Sequence, residues 1–156
     1  MFILILYKTN LQMKKSILIL LITAFTFNSI FAQDEIVGTW FNTAKDGKVE
    51  IYKSGEKFFG QIVWLKEPLD ENTGKPKTDL NNPNDANHQD AIIGLKVLKN
   101  FEYKGNGVWE NGKIYDPENG KTYSCKMTLK DNNQLDVRGY IGFSLLGRTE
   151  NWTRAK

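Results

Sequence analysis

Between Thr122 and Leu129 apolar and polar residues alternate without a break, with Tyr123, Cys125, Met127 and Leu129 on one face and Thr122, Ser124, Lys126 and Thr128 on the other. Two is the period of a β-strand, and a strand patterned this way has one buried face and one wet face. Val49 and Ile51 alternate with Lys48, Glu50 and Tyr52 in the same manner, as do Leu135, Val137 and Gly139 with Asp136, Arg138 and Tyr140. Phe58 to Leu65 is apolar on both faces. Turn formers separate these segments: Lys45-Asp46-Gly47, Lys53-Ser54-Gly55, Glu110-Asn111-Gly112, Asp116-Pro117-Glu118-Asn119-Gly120 and Lys130-Asp131-Asn132-Asn133. Such residues tolerate positive φ or preset a turn, so adjacent strands should pair antiparallel. Only Ala91 to Leu98 is ambiguous and compatible with a short helix. The pattern predicts about seven to nine short strands, an all-β domain.

One stretch breaks the rhythm. Lys66 to Gln89 holds three of the four prolines and is rich in Asn and Asp. Structureless loops this long are uncommon in compact domains and serve as lids or remain mobile. Asp79, Asn81, Asn84 and Asp85 gather hard oxygen atoms of the kind calcium takes, but the glycine and closing glutamate of an EF-hand are missing. Polar loop chemistry accounts for them without a metal.

The chain begins with two segments of another kind. From Met13 a basic start, Lys14-Lys15, leads into Ile17 to Phe25 and ends at Ser29-Ile30-Phe31-Ala32, the three-part pattern of a secretory signal peptide. Thr23, Thr26, Asn28 and Ser29 interrupt the apolar run before it reaches the roughly 20 residues of a membrane span. Residues 1–12 read as an extension from a mis-called start codon, 13–32 as the signal peptide, and 33–156 as a single domain. Of 21 Lys+Arg against 18 Asp+Glu, Lys8, Lys14 and Lys15 precede residue 33 and no acidic residue does, so the mature domain is neutral. It lacks the basic field that nucleic acid or an anionic membrane would require. The expected location is periplasmic or secreted, with cleavage near Ala32.

The inventory for catalysis is thin. His88 is the only histidine and Cys125 the only cysteine, which excludes an internal disulfide and offers no zinc-ligand spacing. Alternation places Cys125 on the core face. Gly107 to Lys113 has phosphate-loop spacing but continues to Ile114 where Ser or Thr should stand; Gly120-Lys121-Thr122 has Tyr115 where the first glycine belongs. Gly142 to Gly147 is one residue too long for a nucleophile elbow. No catalytic residue, cofactor or metal is expected.

Gly38-Thr39-Trp40 opens the folded part, and Arg148, Glu150, Trp152 and Arg154 share one face of the last strand. A Gly-x-Trp on a first strand with an arginine near the chain's end resembles the calycin pattern of lipocalins and fatty-acid-binding proteins, in which the arginine packs across the tryptophan. Either Arg148 or Arg154 suits that closing role toward Trp40. If Trp152 points inward, its face-mates bring charge into the barrel or to its mouth, and buried charge must be paired. An Arg148–Glu150 pair would close the barrel end; alternatively an arginine receives the acidic head of an amphipathic ligand whose chain lies along Phe58, Ile62 and Trp64. Tyr123 and Trp152 complete the candidate ligand set.

Phe59-Gly60-Gln61-Ile62, Ile93-Gly94-Leu95, Ile114 to Tyr123 and Val137-Arg138-Gly139-Tyr140-Ile141-Gly142 through Leu146-Gly147-Arg148 to Trp152 look like the bacterial family called domain of unknown function 2147. The resemblance implies an exported protein with a single antiparallel up-and-down barrel, lipocalin-like, and carries no activity. Its distinctive Asp116 to Lys121 hairpin needs nothing beyond turn chemistry. The expected function is binding of a small apolar or amphipathic molecule. A structural or protein-interaction module of the envelope is the alternative, and an enzyme of unknown type the third. For the leader, the intact mass of protein recovered from the host's envelope is expected to correspond to a chain starting at Gln33; a mass that includes Met13 to Ala32 would refute it.

Overall fold

Each alternating segment forms a strand, and each cluster of turn residues reverses the chain. A computed structural model describes residues 33–142 and 146–156. The leader, the extension before it, and Phe143, Ser144 and Leu145 in the Gly142 to Gly147 segment lie outside the described residues. Glu35 to Lys156 is one unit. Its strands are β1 (Gly38–Phe41), β2 (Gly47–Ser54), β3 (Lys57–Leu65), β4 (Lys96–Gly105), β5 (Val108–Asp116), β6 (Lys121–Asp131), β7 (Gln134–Tyr140) and β8 (Gly147–Arg154). Each pairs antiparallel with the next, and β8 returns to β1, so the sheet is a closed up-and-down barrel in sequence order. Closure removes the sheet edges that would otherwise seek another chain.

The stretch Ala91 to Leu98 is not helical. Ala91 bridges to Thr78, and Lys96 already begins β4. Gly94 at φ +96° lies outside the helical region, and two adjacent β-branched residues, Ile92 and Ile93, favour extended backbone. Between the strands, the helical turn is the short 3-10 helix Asp85–Asn87.

Hairpins alternate between two ends of the barrel, and the two ends differ. Toward the end holding the β2–β3, β4–β5 and β6–β7 turns, Ile51, Phe58, Phe101, Trp109, Cys125, Met127 and Leu135 are fully buried and fill the interior. Phe58 meets Trp109 edge-on with centroids 6.1 Å apart. Gly112 leaves room for Phe101, since a Cβ there would overlap the ring. Burial pushes the Cys125 thiol up to about 12, which makes it an inert core residue, as alternation predicts.

This filled end is sealed by one cluster. Trp40 is fully buried and donates its indole N–H to the Ile36 carbonyl at 2.8 Å. The Arg154 guanidinium lies 4.1 Å from the Trp40 ring centroid and donates to the carbonyls of Val37 (2.9 Å), Asn132 (2.6 Å) and Glu35. Gly38 is required here twice over: its φ is +129°, and a Cβ would come within 2.8 Å of the Arg154 Nη1. Of the two candidate arginines, Arg154 performs the closure, whereas the Arg148 side chain is 88% exposed at the opposite end of β8.

Arg154→Ala should therefore cost about 2–3 kcal/mol of unfolding free energy, from the lost cation–π contact and charged hydrogen bonds. Arg148→Ala should stay within about 0.5 kcal/mol, as for an ordinary surface change. Urea denaturation of both variants checks the pair, and equal losses would contradict the assignment.

Candidate functional site

Above the filled half, aliphatic residues and a glycine stand among the larger Leu65, Tyr123 and Trp152. Val49, Ile62, Val97, Ile114, Val137 and Gly139 line the wall where phenylalanines and tryptophans stood below. The result is a cavity of about 1760 Å³, open at the end that carries the β1–β2, β5–β6 and β7–β8 turns and the long β3–β4 connection. That volume includes the cleft beneath the connection as well as the barrel interior. It exceeds the few hundred Å³ at which ligand pockets begin.

Of the residues singled out as ligand contacts, Ile62, Tyr123, Arg148, Glu150 and Trp152 line this cavity together. Phe58 does not, because it belongs to the packed core of the sealed half. Trp64 is on the outer surface. Opposite Lys48–Val49, β3 carries one extra residue, so that Lys48 pairs with Trp64 and Val49 with Ile62. The bulge at Val63 turns Trp64 outward, where it meets Phe41 edge-on at 6.0 Å beneath Lys48, whose Nζ is 5.0 Å from the indole. Leu65 takes the inward place instead.

Arg148 and Glu150 approach each other at 3.9 Å, at the rim rather than across a sealed end. Glu150 is the more enclosed of the two, with its side chain 39% exposed, and its Oε2 accepts the Trp152 indole N–H at 3.2 Å. Trp152 is only 4% exposed and marks the level at which the filled half begins.

The residues of the long loop bond to one another and to the barrel. Asp79, which is fully buried, accepts from the Tyr115 hydroxyl at 2.8 Å and from Asn82 Nδ2 at 2.7 Å. Asn81 donates to the carbonyls of Pro117 and Glu118. Asn84 caps the 3-10 helix, and Asp85 faces His88 at 3.5 Å. Among the described residues no group of three or more His, Cys, Asp or Glu is placed to hold a metal. The oxygen-rich residues instead strap the loop to β5 and to the β5–β6 turn, making Leu80, Asn81 and Ile92 part of the cavity wall.

The turn from Asp116 is built as its residues suggest: Asp116 accepts from the Glu118 N–H and from Asn119 Nδ2, and the Gly120 N–H donates to the Asp116 carbonyl. One function of this turn was not legible in the sequence. Gly120, at φ +69°, lies against the Asn81 carbonyl, where any Cβ would overlap it. The glycine thus serves the turn and the docking of a loop almost forty residues upstream in sequence.

The family model described as "Uncharacterized protein conserved in bacteria (DUF2147)" matches residues 38–154, which is most of the chain and the whole barrel. The chain belongs to this family. Among solved structures it is similar to the Helicobacter pylori protein HP1028, described as belonging to the lipocalin family, with TM-score 0.67 and 22% identity over 78% of this chain and 83% of that one. At that identity the likeness shows the fold alone. No curated protein matches the sequence. In this DUF2147 barrel the family match and the lipocalin-like fold agree with the closed eight-stranded sheet, and among the described residues no helix is long and apolar enough to cross a membrane.

Burial, reinforced by the Asp79 carboxylate, pushes the Tyr115 hydroxyl up to about 12 from an ordinary value of 10.0. A folded-state value above the unfolded one contributes stability that is complete below about pH 10 and is lost as pH rises toward 12. Tyr115→Phe is expected to flatten that alkaline decline in urea titrations at successive pH values. An equally steep decline in the variant would show that the Tyr115–Asp79 strap is not its source.

Proposed function

We propose that this protein is an exported carrier or receptor for a small apolar or amphipathic molecule, held in the open half of the barrel. The observation that carries the reading is the difference between the two halves. Where the core needs only stability, large residues such as Phe58, Phe101, Trp109 and Met127 fill the barrel. Where the barrel opens, Val49, Ile62, Val97 and Val137 leave it hollow. Small barrels can be filled by their own side chains, so a half left empty above a close-packed one favours a guest. An envelope interaction module without a ligand would need an exposed patch but no such space.

The leader pattern from Met13 to Ala32 supports the exported setting. The apolar walls favour a ligand with a hydrocarbon body. The polar groups at Glu150, Tyr123 and the rim favour a head that faces the opening.

Native mass spectrometry of protein purified from its host's envelope should show a mass increment of one small molecule. Val137→Phe, which fills the wall, should weaken uptake of a neutral polarity-sensitive dye by about tenfold or more, equivalent to ~1.4 kcal/mol. An apo mass together with no dye uptake by the unaltered protein would overturn the reading.

A further inference from the structure

Glu150 is a carboxylate in an apolar wall. It stands opposite Val137 on β7, and the next inward pair is Leu135 with Trp152, so it lies one step above the packed core. Val137 is 2% exposed and Leu135 fully buried. Among the described residues Glu150 has two partners. One oxygen accepts from the Trp152 indole, a neutral donor; the other is 3.9 Å from Arg148, beyond hydrogen-bonding distance, and the Arg148 side chain is 88% exposed. A pair reaching into solvent in this way is weak and screened. A carboxylate has about four lone-pair sites, so Glu150, which lines the cavity, keeps accepting capacity beyond these two contacts.

Some of the other polar groups of the wall already have partners. The Tyr115 hydroxyl donates to Asp79, and the Tyr123 hydroxyl accepts from Asn119. Asp116 serves its own turn. Of the four lysines of the lining, Lys48 lies over the Phe41 and Trp64 rings, Lys66 and Lys75 are exposed, and Lys77 acts electrostatically on Asp70. Cationic groups therefore sit at the solvent edge, and the carboxylate sits further in.

A ligand that enters displaces the water solvating Glu150. With an apolar group there, the carboxylate would be stripped of hydration with only the indole as donor. An anionic head would bring two like charges together in a poorly solvated place. A cationic donor replaces the lost water and balances the charge.

From this geometry we infer that the cavity selects an amphiphile bearing a protonated amine, seated on Glu150, over one bearing a carboxylate. This rests on the binding function proposed above, and it reverses the polarity that an arginine-centred site would have. The neighbouring Arg148 lowers the preference without cancelling it, because its guanidinium is held in solvent.

The experiment uses the protein purified after export and a neutral naphthylamine dye, displaced by dodecylamine, dodecanoate or dodecanol below their micellar concentrations. The amine should displace the dye at a concentration about tenfold lower than the alcohol, as expected for a charge-assisted hydrogen bond. The carboxylate should be the weakest of the three. Glu150→Gln keeps an acceptor for the Trp152 indole and should remove the amine's advantage over the alcohol. Arg148→Gln, which removes the exposed cation, should widen the amine's advantage. If the alcohol binds but the carboxylate equals or exceeds the amine, or the amine's advantage survives Glu150→Gln, this inference fails while the binding function stands. If the dye binds to none of the proteins, both fail.

Discussion

Everything in this barrel depends on a short seam. β1 contributes only four residues, and its pairing with β8 joins Trp40 to Arg154 and Phe41 to Thr153. So little backbone pairing would leave a frayed opening between the first and last strands. The Arg154 guanidinium supplies what the ladder lacks, covering the indole of Trp40 and collecting carbonyls from Glu35, Val37 and Asn132. Gly38 exists in its unusual conformation to admit that guanidinium. The contact joins the segment before β1 and the end of β8 to the β6–β7 turn, so one end of the barrel is fixed by a single side chain and its neighbours.

Trp40, Trp109, Phe58 and Phe101 pack beneath the seal, and the same core continues through Val49, Val97 and Val137 into the other half. The walls of that half are well supported. The Asp79–Tyr115 hydrogen bond and the Asn81 contacts on Pro117 and Glu118 fix the long connection against β5 and its turn. An open cavity held by a strapped loop would lower the ordering cost of the binding proposed for it.

Much of this was readable in one dimension. Alternation located Cys125, Met127, Val49, Ile51, Leu135 and Val137 on the inner face correctly, and the turn residues gave antiparallel neighbours in order. Ile62, Tyr123, Arg148, Glu150 and Trp152 were brought together as the shared face of their strands implied. Trp64 was misplaced because a bulge shifts the period by one, and the extra residue, Val63, has no signature of its own in an apolar run. Phe58 has the correct face but the wrong end. Period two reports which side of a sheet a residue occupies; it is silent on height along the barrel. Asp79 looked like ordinary loop chemistry, since its partner Tyr115 is far along the chain and the two meet only after β4 and β5 have formed.

The sequence alone thus determined the strands, their order, the barrel class and the family, because each follows from local periodicity, turn chemistry and short motifs. Tertiary structure alone decided which arginine closes the barrel. Arg148 and Arg154 share a face, and only the register of β8 against β1 sets one over Trp40 and the other at the mouth. It alone decided that the barrel is hollow at one end, since volume is a sum over inward residues from every strand. It also set the unequal exposure of Glu150 and Arg148, because exposure follows from depth in a closed sheet and no spacing along the chain encodes depth.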